Sequence, residues 1–518
     1  MTTWRLPTLN VANYLAVNAQ RFPERTAIFA GEHPALSYAG LAQAASRWAT
    51  YLTDEVGLAE GERVALFLAN SVCYIELLCG AWYAGLVVVP INAKLTAAEV
   101  AYIVDDADCR VLFTEHDDMV SWVSVPLIAP SGFALPSGRV SQPVFRASHE
   151  PAWIFYTSGT TGKPKGATLT HLCLATMSAC YVANIETIGP HNRLVHFAPM
   201  SHGSGLYMVP YLMVGGAQVI PSSSKFSGEL FVETLGAHGH ASMFLAPTMI
   251  RRVLDFLATY PGPFNPADIH TITYGGGPMY ARDLLEALEV MGFRLVQIYG
   301  QGESPMTITF LDKQQHQQLY ELYQQQGLTD KTRLVPVGQS HPQLEIAIQD
   351  QYGSCMPVGS EGEVCVRGDT VMSGYWANPD ASRETLREGW LRTGDVGYLD
   401  AQGYLYLTDR LKDVIISGGS NIYPREVEEV LLQYPGVREV SVVGRPDSEW
   451  GEIVVAFVAC SAPLDIQALD TFCLNHMARF KRPKTYHLLD ELPKNAYGKI
   501  LKTTLRSMLV SSELEEQR

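Results

Sequence analysis

The run Tyr156–Gly166, YTSGTTGKPKG, sets hydroxyl and glycine positions in succession ahead of two lysines separated by a proline. Such a segment suits a polyphosphate. Thr157, Ser158, Thr160 and Thr161 offer hydroxyls, Gly159 and Gly162 let main-chain N–H groups approach phosphate oxygens, and Lys163 and Lys165 supply charge. It is not a Walker A loop, which needs Ser or Thr after the lysine, because Pro164 stands there. An exposed Gly- and Thr-rich turn is the plainer reading; the length of the run and its place directly after the apolar strand Ala152–Thr157 favour nucleotide binding. Other segments are ambiguous when taken alone. The glycines of Thr273–Met279, TYGGGPM, serve either a tight loop or the close approach of a ligand. His202, in HFAPMSHGSG, is by itself more often a structural histidine, and Asp409–Asp413, DRLKD, is a charged surface turn.

The elements that must position these groups read as layered α/β. Leu41, Ala45, Trp48 and Leu52 repeat at helical spacing before the apolar run Val64–Leu68, and a helix over Tyr74–Ala84 precedes the strand Leu86–Val89. The Gln-rich stretch from Asp312 to Gln326, with Leu319, Leu322 and Tyr323 at helical spacing, is expected to be a surface helix. After Asp400 the segments shorten: AQGYLYLTDR reads as a hairpin and DVIISGGSNIYP as a strand running into a flexible loop. Pro424 then opens a helix with Val427, Val430, Leu431 and Tyr434 on one face, which Gly436 is expected to close. Two β-rich runs, Val440–Val443 and Ile453–Ala459, follow, so residues 411–518 are expected to form a small α+β unit behind a large α/β domain over 1–410.

Composition narrows the function. The chain has 518 residues, 47% hydrophobic and 18% charged, which is the range of a folded globular protein. A net charge of −15 repels phosphate backbones and anionic lipid, so nucleic acid is an unfavourable partner. The nine cysteines form no CxxC pair and no zinc spacing and read as reduced thiols. The first fifteen residues lack the pattern of a signal peptide, and the longest apolar stretch, Glu76–Pro90, is too short to span a bilayer, so a cytoplasmic location is expected.

With these residues on the page, the sequence resembles the adenylate-forming superfamily, which includes acyl-CoA synthetases, luciferase and peptide-synthetase adenylation domains. The resemblance runs from about residue 10 to about residue 505 and rests on several motifs in a fixed order. It implies a large amino-terminal domain, a small mobile carboxyl-terminal one, and the joining of a carboxylate to AMP before transfer to a thiol.

The same resemblance assigns residues. His202 is similar to the gate of an acyl pocket, with Gly203, Ser204, Tyr274, Gly275 and Gln301 as further substrate contacts, while Gly276 and Gly277 lie beneath the adenine. In QIYGQGES, Tyr299 is the adenine-stacking residue, Gly300, Gln301 and Gly302 approach the nucleotide, and Glu303 holds Mg²⁺ with help from Thr157. Gly302 departs from the family's Thr, which would remove both an α-phosphate donor and bulk beside the reacting carboxylate; Gln301 or Ser304 is the possible replacement donor. Asp395 is expected to accept both ribose hydroxyls and Arg410 to reach the ribose or α-phosphate. Lys412 is the hinge, Lys499 the catalytic ammonium together with Lys163 and Glu303, and Gly418, Gly419 and Asn421 the CoA-contacting loop.

The expected activity is therefore ATP-dependent, Mg²⁺-assisted ligation of a carboxylic acid to CoA. Alternatives are an acyl- or aryl-AMP ligase that loads a separate carrier protein and, from another class, an ATP-binding regulatory protein without catalysis. The expected acyl segments, 201–211, 274–279 and 301–307, hold one Glu and no Lys or Arg, so a second substrate charge would lack a partner there. An aromatic or a short to medium fatty monocarboxylate is the expected acid.

Overall fold

The structure is a computed structural model that describes residues 9–139, 142–157, 163–327, 335–460, 463–495 and 499–516. It comprises a large α/β domain and a small carboxyl-terminal α+β domain. The large domain is built on two mainly parallel sheets and a third, antiparallel one. In the first, six strands run in the order Leu127–Ile128, Cys109–Thr114, Arg63–Phe67, Val87–Ile91, Pro151–Thr157 and Lys165–Thr170, and only the last pair is antiparallel. Val87–Ile91 is buried at every position, as a parallel strand covered on both faces must be. The second sheet has nine strands, with Leu295–Gln301 and Ser304–Leu311 antiparallel at one side and Ile269–Tyr274, Ala241–Leu245 and Arg193–Val195 parallel beside them.

Helices cover these sheets because their apolar residues recur every three or four positions. Helix Tyr38–Thr50 starts where the Ser37 hydroxyl accepts from the Gly40 N–H at 3.1 Å, and it buries Leu41, Ala45 and Trp48. It packs against helix Val72–Tyr83, itself capped by Ser71. The two approach so closely that a β-carbon at Gly80 would stand 2.5 Å from Trp48 Cβ, so only glycine permits this crossing. Each large side chain buried here contributes about 1.5–3 kcal/mol.

The third sheet carries the long strand Trp390–Leu399, flanked by Gly362–Gly368 and by Leu405–Arg410, which returns through a turn at Asp400–Gly403 as the hairpin reading expected. Residues 411–414 then lead to the fourth sheet, ordered Ser420–Ile422, Ile415–Ser417, Gly451–Cys460 and Val437–Asp447, with Thr485–Leu489 on Gly451–Cys460.

Several local expectations are modified. The segment after Ile415 is a tight hairpin, Ile415–Ser417 against Ser420–Ile422, because Gly418 and Gly419 both adopt positive φ. Helix Pro424–Leu431 stops well before Gly436. Helix Lys313–Gln326, opened by a reciprocal Asp312–Gln315 cap, is only partly a surface helix, since His316 and Tyr323 are buried. All nine cysteines are free. Among the described residues no helix is long and apolar enough to cross a membrane.

The small domain rests on the large one through a dense set of polar contacts. Arg282 donates to the carbonyls of Leu432 and Val437 at 2.9 and 3.0 Å, and the Tyr280 hydroxyl to Glu428 at 3.1 Å. Lys502 lies 4.0 Å from Asp409 of the large domain; within the small domain it lies 3.3 Å from Glu428, and Arg506 pairs with Asp413 at 2.8 Å. These contacts fix the carboxyl-terminal segment against the site.

Candidate active site

Three elements converge at the site, two of them at the carboxyl ends of parallel strands, the usual ligand edge of an open α/β sheet, and the third from the antiparallel sheet. Strand Pro151–Thr157 delivers Thr157, the turn between Leu295–Gln301 and Ser304–Leu311 delivers Gly302 and Glu303, and strands Trp390–Leu399 and Leu405–Arg410 deliver Asp395 and Arg410, which face each other in register. Between them and the small domain lies a cleft of about 910 Å³ whose lining includes Thr157, Lys165, Glu303, Tyr375, Arg410 and Lys499. The loop residues Ser158, Gly159, Thr160, Thr161 and Gly162 lie outside the described residues, although the bases of their hairpin, Thr157 and Lys165, are paired.

Glu303 is the carboxylate of the cleft. It accepts from the Thr157 hydroxyl at 3.2 Å and from the Tyr375 hydroxyl at 2.7 Å. A carboxylate and a hydroxyl presented together are the hard oxygen donors that Mg²⁺ uses when nucleotide phosphates and waters complete its shell, so the residues fit that ion. Among the described residues there is no cluster of three or more His, Cys, Asp or Glu for an all-protein metal site. Asp395 is buried and fully engaged: Tyr299 and Gln301 each donate to Oδ2 at 2.6 Å, and Arg410 Nε lies 2.6 Å from Oδ1. Burial and the adjacent Asp395 carboxylate raise the Tyr299 phenol well above its usual pKa. Tyr299 therefore meets Asp395 through its hydroxyl, and Gln301, offered as a replacement donor near the α-phosphate, is spent on Asp395 and on the Thr393 carbonyl at 2.9 Å.

Lys499 reaches this cleft from the other end of the chain. Its N–H is held by Asn495 Oδ1 at 2.9 Å and its carbonyl accepts from the Asn495 N–H at 2.8 Å, which ties its backbone to Asn495. The residue as a whole is solvent-accessible, yet its side chain lines the cleft. Desolvation there, together with the neighbouring Arg410 and Lys412, outweighs Asp395 and Asp413 and brings the ammonium down to about 8. Lys412 is exposed on the segment joining the two domains.

Some expected residues are placed elsewhere. Lys163 does not line the cleft: its ammonium lies 5.6 Å from the Tyr102 ring centre, whereas Lys165 lies over Tyr375 at 5.2 Å and does line it. Lys165 is the first residue of its strand whereas Lys163 lies before it, outside the paired ladder, so the two lysines are not held to one side. Tyr274 is fully buried in the sheet core, its hydroxyl hydrogen-bonded to Gln297 at 3.1 Å and to His316 at 2.9 Å, so its side chain is not available to an acyl group. Ser204 is likewise committed, to His196 at 2.8 Å, and His196 to Gln218 at 2.8 Å. Gly275 allows the close approach of its neighbouring strand, since a β-carbon there would sit 2.4 Å from the Ile298 carbonyl. Gly276, at φ +79°, and Gly277 have space around them. Gly302 leaves no empty space: a β-carbon would stand 2.3 Å from Thr157 Cγ2 and 2.7 Å from the Phe155 ring, so these side chains occupy what the family's Thr would fill. Gly418 and Gly419 form the hairpin tip, with Gly418 against Trp450, while Asn421 lines the cleft.

His202 stacks obliquely on Phe155 at 4.7 Å, and burial lowers its imidazole to about 4, so it is neutral near pH 7. Sequence reasoning missed Phe155 and Tyr375. Phe155 was signalled only by standing two residues before the hydroxyl-rich loop, and Tyr375 by no spacing at all.

Thr157 and Lys165 at the two ends of the hydroxyl-rich sequence, a carboxylate suited to nucleotide-bound Mg²⁺, an Asp–Arg pair and a carboxyl-terminal lysine at one cleft between a large α/β and a small α+β domain define an adenylate-forming enzyme. Comparison with known proteins agrees. The AMP-binding enzyme family model matches residues 15–376 and the AMP-binding enzyme C-terminal domain model matches residues 426–499, and the chain belongs to this family. It is 34% identical to the fatty acid–[acyl-carrier-protein] ligase ScoC of Streptomyces coeruleorubidus, over 94% of each chain. It is 33% identical to a 2-succinylbenzoate–CoA ligase of Bacillus cereus, over 96% of this chain and 98% of that one. Among solved structures, o-succinylbenzoate CoA synthetase from Bacillus subtilis in complex with its acyl-adenylate intermediate superposes with a TM-score of 0.84 at 28% identity, covering 95% of this chain and 98% of that one.

Proposed function

We propose that this protein is an ATP-dependent, AMP-forming carboxylate–CoA ligase acting on an aromatic or a short to medium fatty monocarboxylic acid. The observation that carries the reading is the presence of Lys499 in the same cleft as Thr157, Glu303 and Arg410, although more than three hundred positions separate the lysine from Thr157. In the first half-reaction a carboxylate oxygen attacks the α-phosphorus of ATP, the bond from that phosphorus to the bridging oxygen breaks, and pyrophosphate leaves. Two anions must meet, so cations at the point of contact lower the barrier. Lys499 sits between the acid and the α-phosphate, Arg410 beside the ribose or α-phosphate, and Lys165 with the hydroxyl-rich loop on the β- and γ-phosphates. Glu303 and Thr157 would hold Mg²⁺, which supplies charge neutralisation to the triphosphate when bound. Asp395 accepts the ribose hydroxyls once Gln301 releases it.

In the second half-reaction the CoA sulfur attacks the acyl carbon of the mixed anhydride, AMP leaves with the electron pair of the broken C–O bond, and the thiol proton passes to solvent. Rotation of residues 411–518 about Lys412 withdraws Lys499 and presents the hairpin 417–423, with Asn421, to the pantetheine. The boundary near residue 410 is supported by the short connection 411–414, exposed at Leu411 and Lys412, between two parts whose buried clusters are separate. A cytoplasmic location is the one the free thiols support.

A second acceptor has one specific argument in its favour. The similarity to a ligase that loads an acyl carrier protein makes a phosphopantetheinyl carrier an alternative thiol. Pyrophosphate release across an acid panel, followed by thioester formation with CoA or with a phosphopantetheinylated carrier, tests both readings. CoA is expected to support turnover; turnover with carrier alone would select the alternative. Absence of acid-dependent pyrophosphate release would leave only an ATP-binding protein without catalysis.

A further inference from the structure

The segment Met279–Arg282 leaves the glycine turn of Thr273–Met279 and enters helix Ala281–Met291. Tyr280, at the N-cap position, offers that helix no side-chain cap. A cap comes from the small domain, where the Glu429 carboxyl accepts from the Ala281 N–H. Arg425, buried on the same small-domain helix as Glu429, donates to the Met279 carbonyl at 3.4 Å and to the Leu407 carbonyl at 3.1 Å. Arg282 answers in the opposite direction through its bonds to the Leu432 and Val437 carbonyls. The Tyr280 ring packs against the buried cluster of the small domain. Each of four consecutive residues therefore touches that domain.

The contact made by Tyr280 continues toward the catalytic lysine. Its hydroxyl donates to Glu428 Oε2 at 3.1 Å, while Glu428 Oε1 accepts from the Val442 N–H at 2.8 Å and lies 3.3 Å from the Lys502 ammonium. Lys502 begins helix Lys502–Glu516, three residues after Lys499. Glu428 is buried, so these donors rather than water hold its charge. A shift of the small domain on Met279–Arg282 must therefore also move the segment that carries Lys499.

The structure assigns Met279–Arg282 as the seat of the small domain while Lys499 occupies the cleft, with Arg282 and Tyr280 as positioning residues that act on adenylation through Lys499. This deepens the carboxylate ligase reading and rests on it. Neither residue lines the cleft. Their contacts belong to one pose, since rotation of residues 411–518 would part Arg282 from Leu432 and Val437, so the seat favours the first half-reaction alone. Its precision matters because misplacing a reacting group by about 1 Å costs about 10²-fold in rate.

Single-turnover assays of acyl-AMP formation and of thiolysis of supplied acyl-AMP test this in the full-length enzyme, in Arg282→Ala, Arg282→Lys and Tyr280→Phe, and in Arg282→Ala combined with Lys499→Ala. The Arg282 side chain is partly exposed and Tyr280→Phe removes a single oxygen, so these variants are expected to fold, checked by their thermal midpoints. Arg282→Ala loses two charge-assisted hydrogen bonds and should slow acyl-AMP formation on the order of 10–100-fold, Arg282→Lys should slow it less, and Tyr280→Phe about 5–10-fold. Thiolysis should keep the parent's rate in all three. In the Lys499→Ala background, adding Arg282→Ala should change acyl-AMP formation by less than about twofold, because the group it positions is gone. Equal losses in both half-reactions, or a double variant whose loss is the product of the single losses, would show a general structural role and overturn the assignment. Parental acyl-AMP formation in both Arg282→Ala and Tyr280→Phe would do the same. Should Arg282→Ala fail to fold, Tyr280→Phe with and without Lys499→Ala gives the same comparison. A parent that forms no acyl-AMP with any acid would instead strike the ligase reading itself.

Discussion

Replacement of Lys499 by alanine tests the proposed chemistry most directly. At about 4 Å and an effective dielectric constant of about 20, an ammonium beside the α-phosphate contributes roughly 4 kcal/mol. Loss of a single preorganised charge-stabilising donor costs about 2.7–4 kcal/mol, or 10²–10³ in rate. Lys499→Ala is therefore expected to slow acyl-AMP formation by about 10²–10³ while thiolysis of supplied acyl-AMP continues, since the proposed hinge motion would withdraw the lysine before that step. The ammonium at about 8 adds a second signature. The charged form is the active one and its pKa is lowered, so kcat/KM for ATP in adenylation should be level below about pH 8 and fall about tenfold per unit above it. In Lys499→Arg the guanidinium stays charged, so that alkaline limb should disappear from whatever activity remains. Single-turnover assays of each half-reaction across pH provide the measurement. An equal loss in both half-reactions, or an unchanged alkaline limb in the arginine variant, would refute the reasoning.

Three further outcomes follow from the same geometry. Asp395→Ala removes the acceptor shared by Tyr299, Gln301 and Arg410, and is expected to raise the KM for ATP by about 10–100-fold, the range of a lost charge-assisted contact. The ranking of acids should stay the same; an unchanged KM would count against the ribose role. Tyr375→Phe deletes one donor to Glu303 at a cost of about 1.5–3 kcal/mol, so the Mg²⁺ concentration giving half-maximal adenylation should shift by at least about tenfold. A titration curve superimposable on the parent's would show that this hydroxyl does not position the carboxylate. Gly302→Thr forces a β-carbon against Thr157 and Phe155, and overpacking of this kind costs about 1–3 kcal/mol. Its denaturant midpoint should fall along with adenylation, and a fully stable, fully active variant would mean that the space is not filled as described.

Much of this architecture can be read from short-range patterning. The buried stripe of Leu41, Ala45 and Trp48, the apolar run Val87–Ile91 and the proline that opens helix Pro424–Leu431 each declare an element within a dozen residues, because helix and strand periodicities are local properties of the backbone. The adenylate-forming motifs are local as well, and family membership follows from their order.

Other features depend on which distant segments pack together. The run KPK contains two equivalent lysines, and only the rings of Tyr102 and Tyr375, brought up from either side, separate the one in the cleft from the one outside it. Tyr375 meets Glu303 across 72 positions, a pairing that no window of sequence encodes. The absent side chain at Gly302 reads as lost bulk, yet the fold fills that volume with Thr157 and Phe155, because a packed interior tolerates few voids. Tyr274 stands in a motif associated with ligand and still lies in the core, since its strand is buried on both faces there and its hydroxyl is taken by Gln297 and His316 from other elements. Sequence alone determined the kind of chemistry, through residue types that must be present for it. Tertiary structure decided which of those residues face the cleft, because side-chain direction and the occupation of space are set by contacts between elements far apart in the chain.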